Sequence, residues 1–180
     1  MPGKGVDIKI PWEISRFHHL VTLAQVWKLT NEINYSQEFF KQFESWLESN
    51  PFCYGINWTN TMEVAIRSVN LLVAVYLLED APEWNENRRN LLYSSIRQHG
   101  LYIEHNLEIG VQDNRISAGN HYLANICGMA IIGLTCRGLP EANRWVKTGI
   151  KALEQEMKGM VLDDGFFFES STSYHRLAVE

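Results

Sequence analysis

The sequence "NTMEVAIRSVNLLVAVYLLE", residues 60–79, indicates the fold class of this 180-residue chain. It is apolar nearly all round, which is typical of an α-helix that is buried on most of its faces. "HYLANICGMAIIGLTCRG", residues 121–138, repeats the pattern, and a Gly-Leu-Pro sequence ends it. Two helices of this kind need further helices around them, so the sequence predicts a helical core.

Amphipathic helical stretches precede, separate and follow the two apolar ones. This order predicts hairpins of an inner and an outer helix that recur about every 40–50 residues. One helix is expected to run from Pro11 to Thr30, and a seventh is expected to begin near Ser173. No stretch has the convincing period-2 alternation of a strand. We therefore predict an all-α fold, a single domain over residues 1–180 that forms an incomplete (α/α) toroid.

The composition is that of a folded globular protein, with 46% hydrophobic and 21% charged residues. A net charge of −5, without any run of five basic residues, argues against nucleic-acid binding. No apolar stretch reaches 18 residues and the first residues lack an apolar signal-peptide region, so we expect no membrane span and no leader in this sequence. Three cysteines, an odd number, argue against a disulfide framework.

Four stretches carry polar residues where a buried helix would not favour them, namely residues 7–16, 55–70, 119–128 and 164–177. Together and in this order they resemble the heparinase II/III-like polysaccharide lyases, and the resemblance covers nearly the whole chain. The pair Asn120-His121 and, 54 positions later, the pair Tyr174-His175 match two pairs of that family.

The resemblance implies the N-terminal part of an (α/α) toroid, with the family's C-terminal β-sandwich domain absent from this chain. It implies a lyase for an acidic, uronic-acid-containing polysaccharide such as a glycosaminoglycan, in the periplasm or secreted. The cleft of such an enzyme lies between the two domains. This chain would therefore supply one wall of the cleft and be inactive alone.

The chemistry of that family explains why Asn120, His121 and Tyr174 are the candidate catalytic residues. In β-elimination a base removes the C5 proton of the uronic acid, and the oxygen at C4 leaves with a proton from an acid. The neighbouring carboxylate opposes this step until donors stabilise the developing charge. Asn120 and His121 are expected to supply those donors, and Tyr174 is expected to exchange protons with the sugar.

Each of these residues also has a simpler interpretation. Asn120 is a favoured residue type for capping the helix predicted to start at His121. His121 and Asn125 lie one turn apart and form a polar seam between helices in the alternative interpretation. Tyr174, taken alone, is better explained by packing.

The candidate substrate-binding residues fall into two groups. Trp58 is expected to stack on a sugar face and Asn57 to bind a hydroxyl, while the alternative is a loop tryptophan that closes the edge of the core. The others lie near the chain end: Glu169, His175 and Arg176. Two expectations are structural, namely an intrahelical ion pair of Glu63 with Arg67 and attachment of the first helix through Trp12, Glu13 and Arg16.

Two other functions compete with the lyase. A glycoside hydrolase on the same toroid would use paired carboxylates, for which Asp163, Asp164 and Glu169 are candidates. A non-catalytic carbohydrate-binding or assembly subunit of polysaccharide biosynthesis would bind glycan without turnover. We predict no cofactor and no metal site, and a Ca²⁺ site at the three carboxylates is not favoured. The expected partner is an acidic polysaccharide rather than a nucleic acid or a membrane, with self-association through the open toroid end.

Overall fold

The computed structural model describes residues 7–112, 115–117, 119–166, 168, 171–172 and 175–176. Within them the chain is dominated by seven α-helices: α1 (Lys9–Ile14), α2 (His18–Thr30), α3 (Ile33–Ser49), α4 (Thr61–Leu77), α5 (Glu86–His105), α6 (Asn120–Thr135) and α7 (Ala142–Met160). A 3-10 turn (Ile56–Trp58) precedes α4, and two short strands, β1 (Gly110–Gln112) and β2 (Arg115–Ser117), separate α5 from α6.

The helices form an arc of three hairpins. Helix α4 packs between α2 and α6, so these three make the inner row. Each inner helix is followed by its outer partner, and the hairpins are α2 with α3, α4 with α5, and α6 with α7. The all-α fold and the partial (α/α) toroid are therefore confirmed. The two apolar stretches, residues 60–79 and 121–138, form the inner helices α4 and α6.

Small residues let α6 approach its neighbours α4 and α7 closely. A Cβ atom on Gly128 of α6 would lie 2.9 Å from the Cβ atom of Ala65 of α4, closer than real side chains come. Gly149 of α7 meets Ala130 of α6 in the same way, at 2.8 Å. A larger side chain at either glycine would push helices apart, because a packed core has no free volume to take it.

The prediction of one helix from Pro11 to Thr30 is wrong, because the chain breaks between α1 and α2. Phe17 has a left-handed backbone, with φ of 66°, and its side chain is only 1% exposed. Its ring packs edge to face against Trp46 of α3, and the Trp46 indole N–H donates to Ser15 Oγ at 3.1 Å. These tertiary contacts with α3 hold the break, which helical periodicity alone does not reveal.

The two strands were not predicted, although they form a regular antiparallel pair in which Gly110 faces Ser117. Each is three residues long, which is too short to show an alternating pattern. Thr172, His175 and Arg176 have helical backbone, near the start predicted for a seventh helix. Ser173 itself lies outside the described residues.

Apolar side chains are exposed on α7 and directly after it. Ile150 and Met157 are 39% and 51% exposed, and Val161 and Leu162 are each more than 40% exposed. These residues belong to the outer helix of the last described hairpin and to the segment after it. Self-association through it stays a prediction. None of the described helices combines the length and apolar character needed to cross a membrane.

Candidate functional site

The candidate site lies at the end of the arc where the inner helices α4 and α6 begin. The segment that follows α5 crosses this end, and Asn106 accepts a hydrogen bond from Thr61 Oγ1, at the start of α4, through its backbone oxygen at 2.7 Å. The same segment continues to Glu108, which reaches both inner helices. The first turns of α4 and α6 are thereby tied together.

Glu108 is the centre of the hydrogen bonding at this end. Its Oε2 atom accepts from the backbone N–H of Met62 at 2.8 Å and from Asn125 Nδ2 at 3.2 Å. Its Oε1 atom lies 3.0 Å from Nδ1 of His121. The backbone N–H of Glu108 in turn donates to Asn125 Oδ1 at 2.8 Å. The carboxylate therefore joins the first turn of α4 to one face of α6.

Burial would raise the pKa of Glu108, but the hydrogen bonds from His121 and Asn125, the charge of a protonated His121 and the Met62 amide outweigh it. The pKa of Glu108 is consequently below its usual value, and the carboxylate is ionised at neutral pH. The Met62 amide is one of the N–H groups that a helix leaves unpaired at its start. The positive end of the α4 dipole favours the same negative charge.

The polar seam of His121 and Asn125 that the alternative interpretation described exists, and its third member was missed. Both side chains lie on one face of α6 and both bind Glu108. Glu108 escaped notice because it follows the end of α5 and has no helical partner at a recognisable spacing. An acidic residue shortly after a helix end and 13 positions before the histidine was the available signal.

Asn120 does not cap α6. The helix begins at Asn120 itself, the residue at the N-cap position is Gly119, and no side chain caps this end. The amide of Asn120 makes no hydrogen bond within the described part of the chain and is partly exposed. The capping interpretation is therefore wrong, and the amide sits in the first turn of α6 beside His121.

Asn57 and Trp58 lie in the core rather than on an open surface. They are 7% and 5% exposed. Asn57 Nδ2 donates to Asn50 Oδ1 at 2.7 Å, and the Trp58 indole N–H donates to the backbone oxygen of Asn50 at 3.2 Å. The Trp58 ring packs against Phe52 and Tyr102. This geometry favours the interpretation that Trp58 closes the core edge, because no ring face is open to a sugar.

The predicted ion pair of Glu63 with Arg67 is wrong. Glu63 instead binds Arg16, which precedes α2, through two bonds of 2.7 Å each. With the bond of 2.9 Å from the Trp12 indole N–H to the backbone oxygen of Ile56, this pair confirms the attachment to the toroid through Trp12 and Arg16, whereas Glu13 is exposed. Arg67 turns into the core, where its side chain is fully buried.

Arg67 is fully buried and binds His99 of α5. Its Nε atom donates to His99 Nε2 at 3.0 Å, and its guanidinium lies 4.6 Å and 5.2 Å from the ring centroids of Trp46 and Trp58. Burial lowers the pKa of His99 to about 3, and the charge of Arg67 adds to this effect. His99 is therefore a neutral structural histidine that supports the loop before α4.

The segment after α7 begins at the same end of the arc. Met160, the last residue of α7, packs against Tyr122 and Leu123 in the first turn of α6. Further along, the rings of Phe166 and His175 stack with centroids 4.5 Å apart. Arg176 follows with an exposed side chain. Two of the candidate residues, Tyr174 and Glu169, lie outside the described residues, so the roles expected of them stay predictions.

Of the three carboxylates considered for a hydrolase, the two in the described part of the chain are exposed, and one of them closes a turn. Asp164 Oδ1 accepts from the backbone N–H of Phe166 at 2.9 Å, which closes a turn after α7. Asp163 is exposed. Among the described residues, no group of three or more His, Cys, Asp or Glu side chains is arranged to hold a metal ion.

Three inner and three outer helices, with polar groups gathered where the inner helices begin, define this chain as part of an (α/α)-toroid protein. The family model of the heparinase II/III N-terminus matches residues 2–180, and the chain belongs to this family.

Its relatives are longer proteins. The heparin-sulfate lyase of Pedobacter heparinus is 26% identical over 97% of this chain and 26% of its own length. The heparin-sulfate lyase of Bacteroides thetaiotaomicron is 23% identical over 91% of this chain and 23% of its own length. The chain thus spans about a quarter of these curated relatives.

Solved structures agree on the fold. The crystal structure of the heparan sulfate lyase HepC from Pedobacter heparinus superposes with a TM-score of 0.81 at 24% identity, covering 99% of this chain and 27% of that one. The structure of the heparinase III-BT4657 gene product gives a TM-score of 0.79 at 21% identity, covering 99% of this chain and 30% of that one. Both share the helical arc described above.

Proposed function

We propose that the complete protein is a polysaccharide lyase that cleaves an acidic, uronic-acid-containing polysaccharide by β-elimination. This chain would supply one wall of its cleft. The observation that carries the proposal is the first turn of α6, where Asn120 and His121 are adjacent and partly exposed. The names of the relatives, heparin-sulfate lyases, point to a sulfated glycosaminoglycan as the substrate class.

The proposed role of Asn120 and His121 is to bind the carboxylate of the sugar that loses its C5 proton. As that proton leaves, negative charge spreads from C5 onto the carboxylate, and donors that are already in place stabilise it. The electron pair then forms the C4–C5 double bond while the C4–O bond breaks. The departing oxygen takes a proton, and Tyr174 is the proposed partner in these proton transfers.

The electrostatics at this end of the arc suit an anionic ligand. The amide N–H groups in the first turn of α6 give the helix start a partial positive charge, and no acidic residue lies in that turn. At α4 the corresponding charge is already matched by Glu108. The start of α6 is therefore the favoured place for a substrate carboxylate. We propose a periplasmic or secreted location on the family resemblance alone.

Ultraviolet absorbance of the product tests the reaction class. A lyase leaves a 4,5-unsaturated uronic acid at each new end, whereas a hydrolase leaves a saturated one and produces no ultraviolet absorbance. We expect the complete protein to raise the absorbance of a heparan-sulfate-like polymer in step with the appearance of new chain ends. New ends without absorbance would indicate a hydrolase, and binding without new ends would indicate a carbohydrate-binding subunit.

Replacing Asn120 with alanine in the complete protein is expected to lower kcat/KM by about 10²–10³-fold, as loss of one preorganised donor does. The substrate carboxylate is present in the ground state and the transition state, so KM should rise and kcat should fall. Steady-state kinetics by product absorbance would measure both. Asn143→Ala, at an exposed position of α7, is the matched control and should behave as wild type. A normal KM in Asn120→Ala would contradict carboxylate binding by this amide.

A further inference from the structure

We propose that Glu108 is a positioning residue of this site, which holds the His121 ring with hydrogen on Nδ1 and directs the substrate to Nε2. The proposal rests on the lyase function proposed above. It concerns a residue outside every motif that suggested that function.

The hydrogen on Nδ1 follows from the chemistry of the contact. The Oε1 atom of Glu108 lies 3.0 Å from His121 Nδ1, within hydrogen-bond distance. An ionised carboxylate can only accept hydrogen bonds, so the ring nitrogen must be the donor. Glu108 is ionised because its pKa lies below the usual value. In this proposal His121 acts on the substrate through its second ring nitrogen, Nε2.

The protonation of the bound ring follows from the same contact. A histidine with its hydrogen on Nδ1 donates from Nε2 only when both nitrogens are protonated, and the ring is then positively charged. His121 would therefore meet the substrate carboxylate as an imidazolium whose charge is balanced on the other side by Glu108. Carboxylates that orient a functional histidine in this way favour one tautomer and one ring position.

Glu108 is itself held firmly enough to orient a ring. Its other oxygen accepts from Met62 N–H on α4, and its backbone N–H donates to Asn125 on α6. The position of the His121 ring is thereby fixed relative to α4 and α6 rather than relative to a single loop. The side chains of His121 and Glu108 are 42% and 28% exposed, so the pair is not a core contact whose main contribution is packing.

Glu108→Gln is the decisive variant, because it keeps the shape and removes one acceptor. The amide has one oxygen and one NH₂ group. Two donors, Met62 N–H and Asn125 Nδ2, meet Oε2, and one donor meets Oε1. The amide oxygen should therefore take the Oε2 position and place NH₂ against His121. The neutral ring should respond by moving its hydrogen from Nδ1 to Nε2.

The experiment combines nitrogen-15 NMR of histidine-labelled complete protein with steady-state kinetics. Nδ1 of His121, assigned by comparison with His121→Gln, should be protonated in wild type. In Glu108→Gln the neutral ring should carry its hydrogen on Nε2, and kcat/KM should fall about 10–10²-fold, by analogy with the scale for carboxylate partners of metal-binding histidines. Glu104→Gln, which removes an ion pair with Arg144 on the outer surface, is the matched control and should keep wild-type kinetics.

Three results would overturn the proposal. An unprotonated Nδ1 in wild type would do so without any variant. Turnover of Glu108→Gln equal to that of Glu104→Gln would do so by kinetics, and a loss of activity with an unchanged tautomer would assign Glu108 a merely structural role. If wild-type protein makes no unsaturated product, the lyase function itself fails, and the positioning role fails with it whatever the tautomer.

Discussion

Replacing Tyr174 with phenylalanine in the complete protein is expected to lower kcat by about 10²–10⁴-fold, the scale for losing a positioned acid or base. Phenylalanine keeps the ring and removes only the hydroxyl that would exchange protons with the sugar. Substrate binding should remain almost intact, because the carboxylate is bound elsewhere, at Asn120 and His121. Initial rates of product absorbance and oligosaccharide titration would give the two quantities separately.

Tyr76→Phe is the matched control for this prediction. Tyr76 lies near the opposite end of the inner helix α4, with a side chain that is 71% exposed, so losing its hydroxyl should change neither quantity. Near-normal turnover in Tyr174→Phe would end the assignment of proton transfer to this residue. A rise in KM with unchanged kcat would instead make the hydroxyl a binding group.

The helical hairpins were predictable because their signal is long and local. The inner helices α4 and α6 are apolar on nearly every face, and their neighbours alternate with them along the chain. The break before α2 was not predictable in this way. It depends on Phe17 packing against Trp46, some 30 positions away, and on Arg16 reaching Glu63. Contacts between distant segments override helical periodicity without leaving a periodic trace.

The residues of the candidate site were likewise predictable only where they are neighbours in sequence. Asn120 and His121 are neighbours in sequence, so their position in the first turn of α6 could be read from the chain itself. Glu108 was missed because three-dimensional folding, not spacing, brings it to α6. For Trp58 the sequence left two interpretations open, a sugar platform and a residue that closes the core edge, because a loop tryptophan before a helix has no sequence mark of burial. The rings of Phe52, in the loop after α3, and Tyr102, in α5, pack against it.

Lowering the pH from 7 to 5 is expected to destabilise the chain by about 2 kcal/mol through His99 alone. The pKa of His99 is about 3 in the folded protein and 6.5 in an exposed reference state, because the ring is buried and faces the charge of Arg67. Between these values the unfolded chain binds a proton that the folded chain does not. Stability is therefore fully present above pH 6.5 and is lost as the pH falls toward 3.

The His99 contribution can be isolated in the upper part of that range. The carboxyl groups of Glu104, Glu108 and Glu141 have lowered pKa values, so their contributions are present above pH 4.5 and are lost only below it. The pKa of His19 is also lowered, by partial burial and the neighbouring His18. It acts in the same direction, but equally in wild type and in a His99 variant.

Urea denaturation at pH 7 and pH 5 would measure the effect. For an m value of about 2 kcal/mol/M, the wild-type midpoint should fall by about 1 M from the His99 contribution. His99→Gln leaves an acceptor for Arg67 but cannot titrate, so it should be less stable at pH 7 and lose about 2 kcal/mol less on acidification. His105→Gln, at an exposed position of the same helix, should lose as much stability between pH 7 and pH 5 as the wild type does. An equal loss of stability between pH 7 and pH 5 in wild type and His99→Gln would mean that His99 accepts a proton while folded. The buried contact with Arg67 could not then be as described.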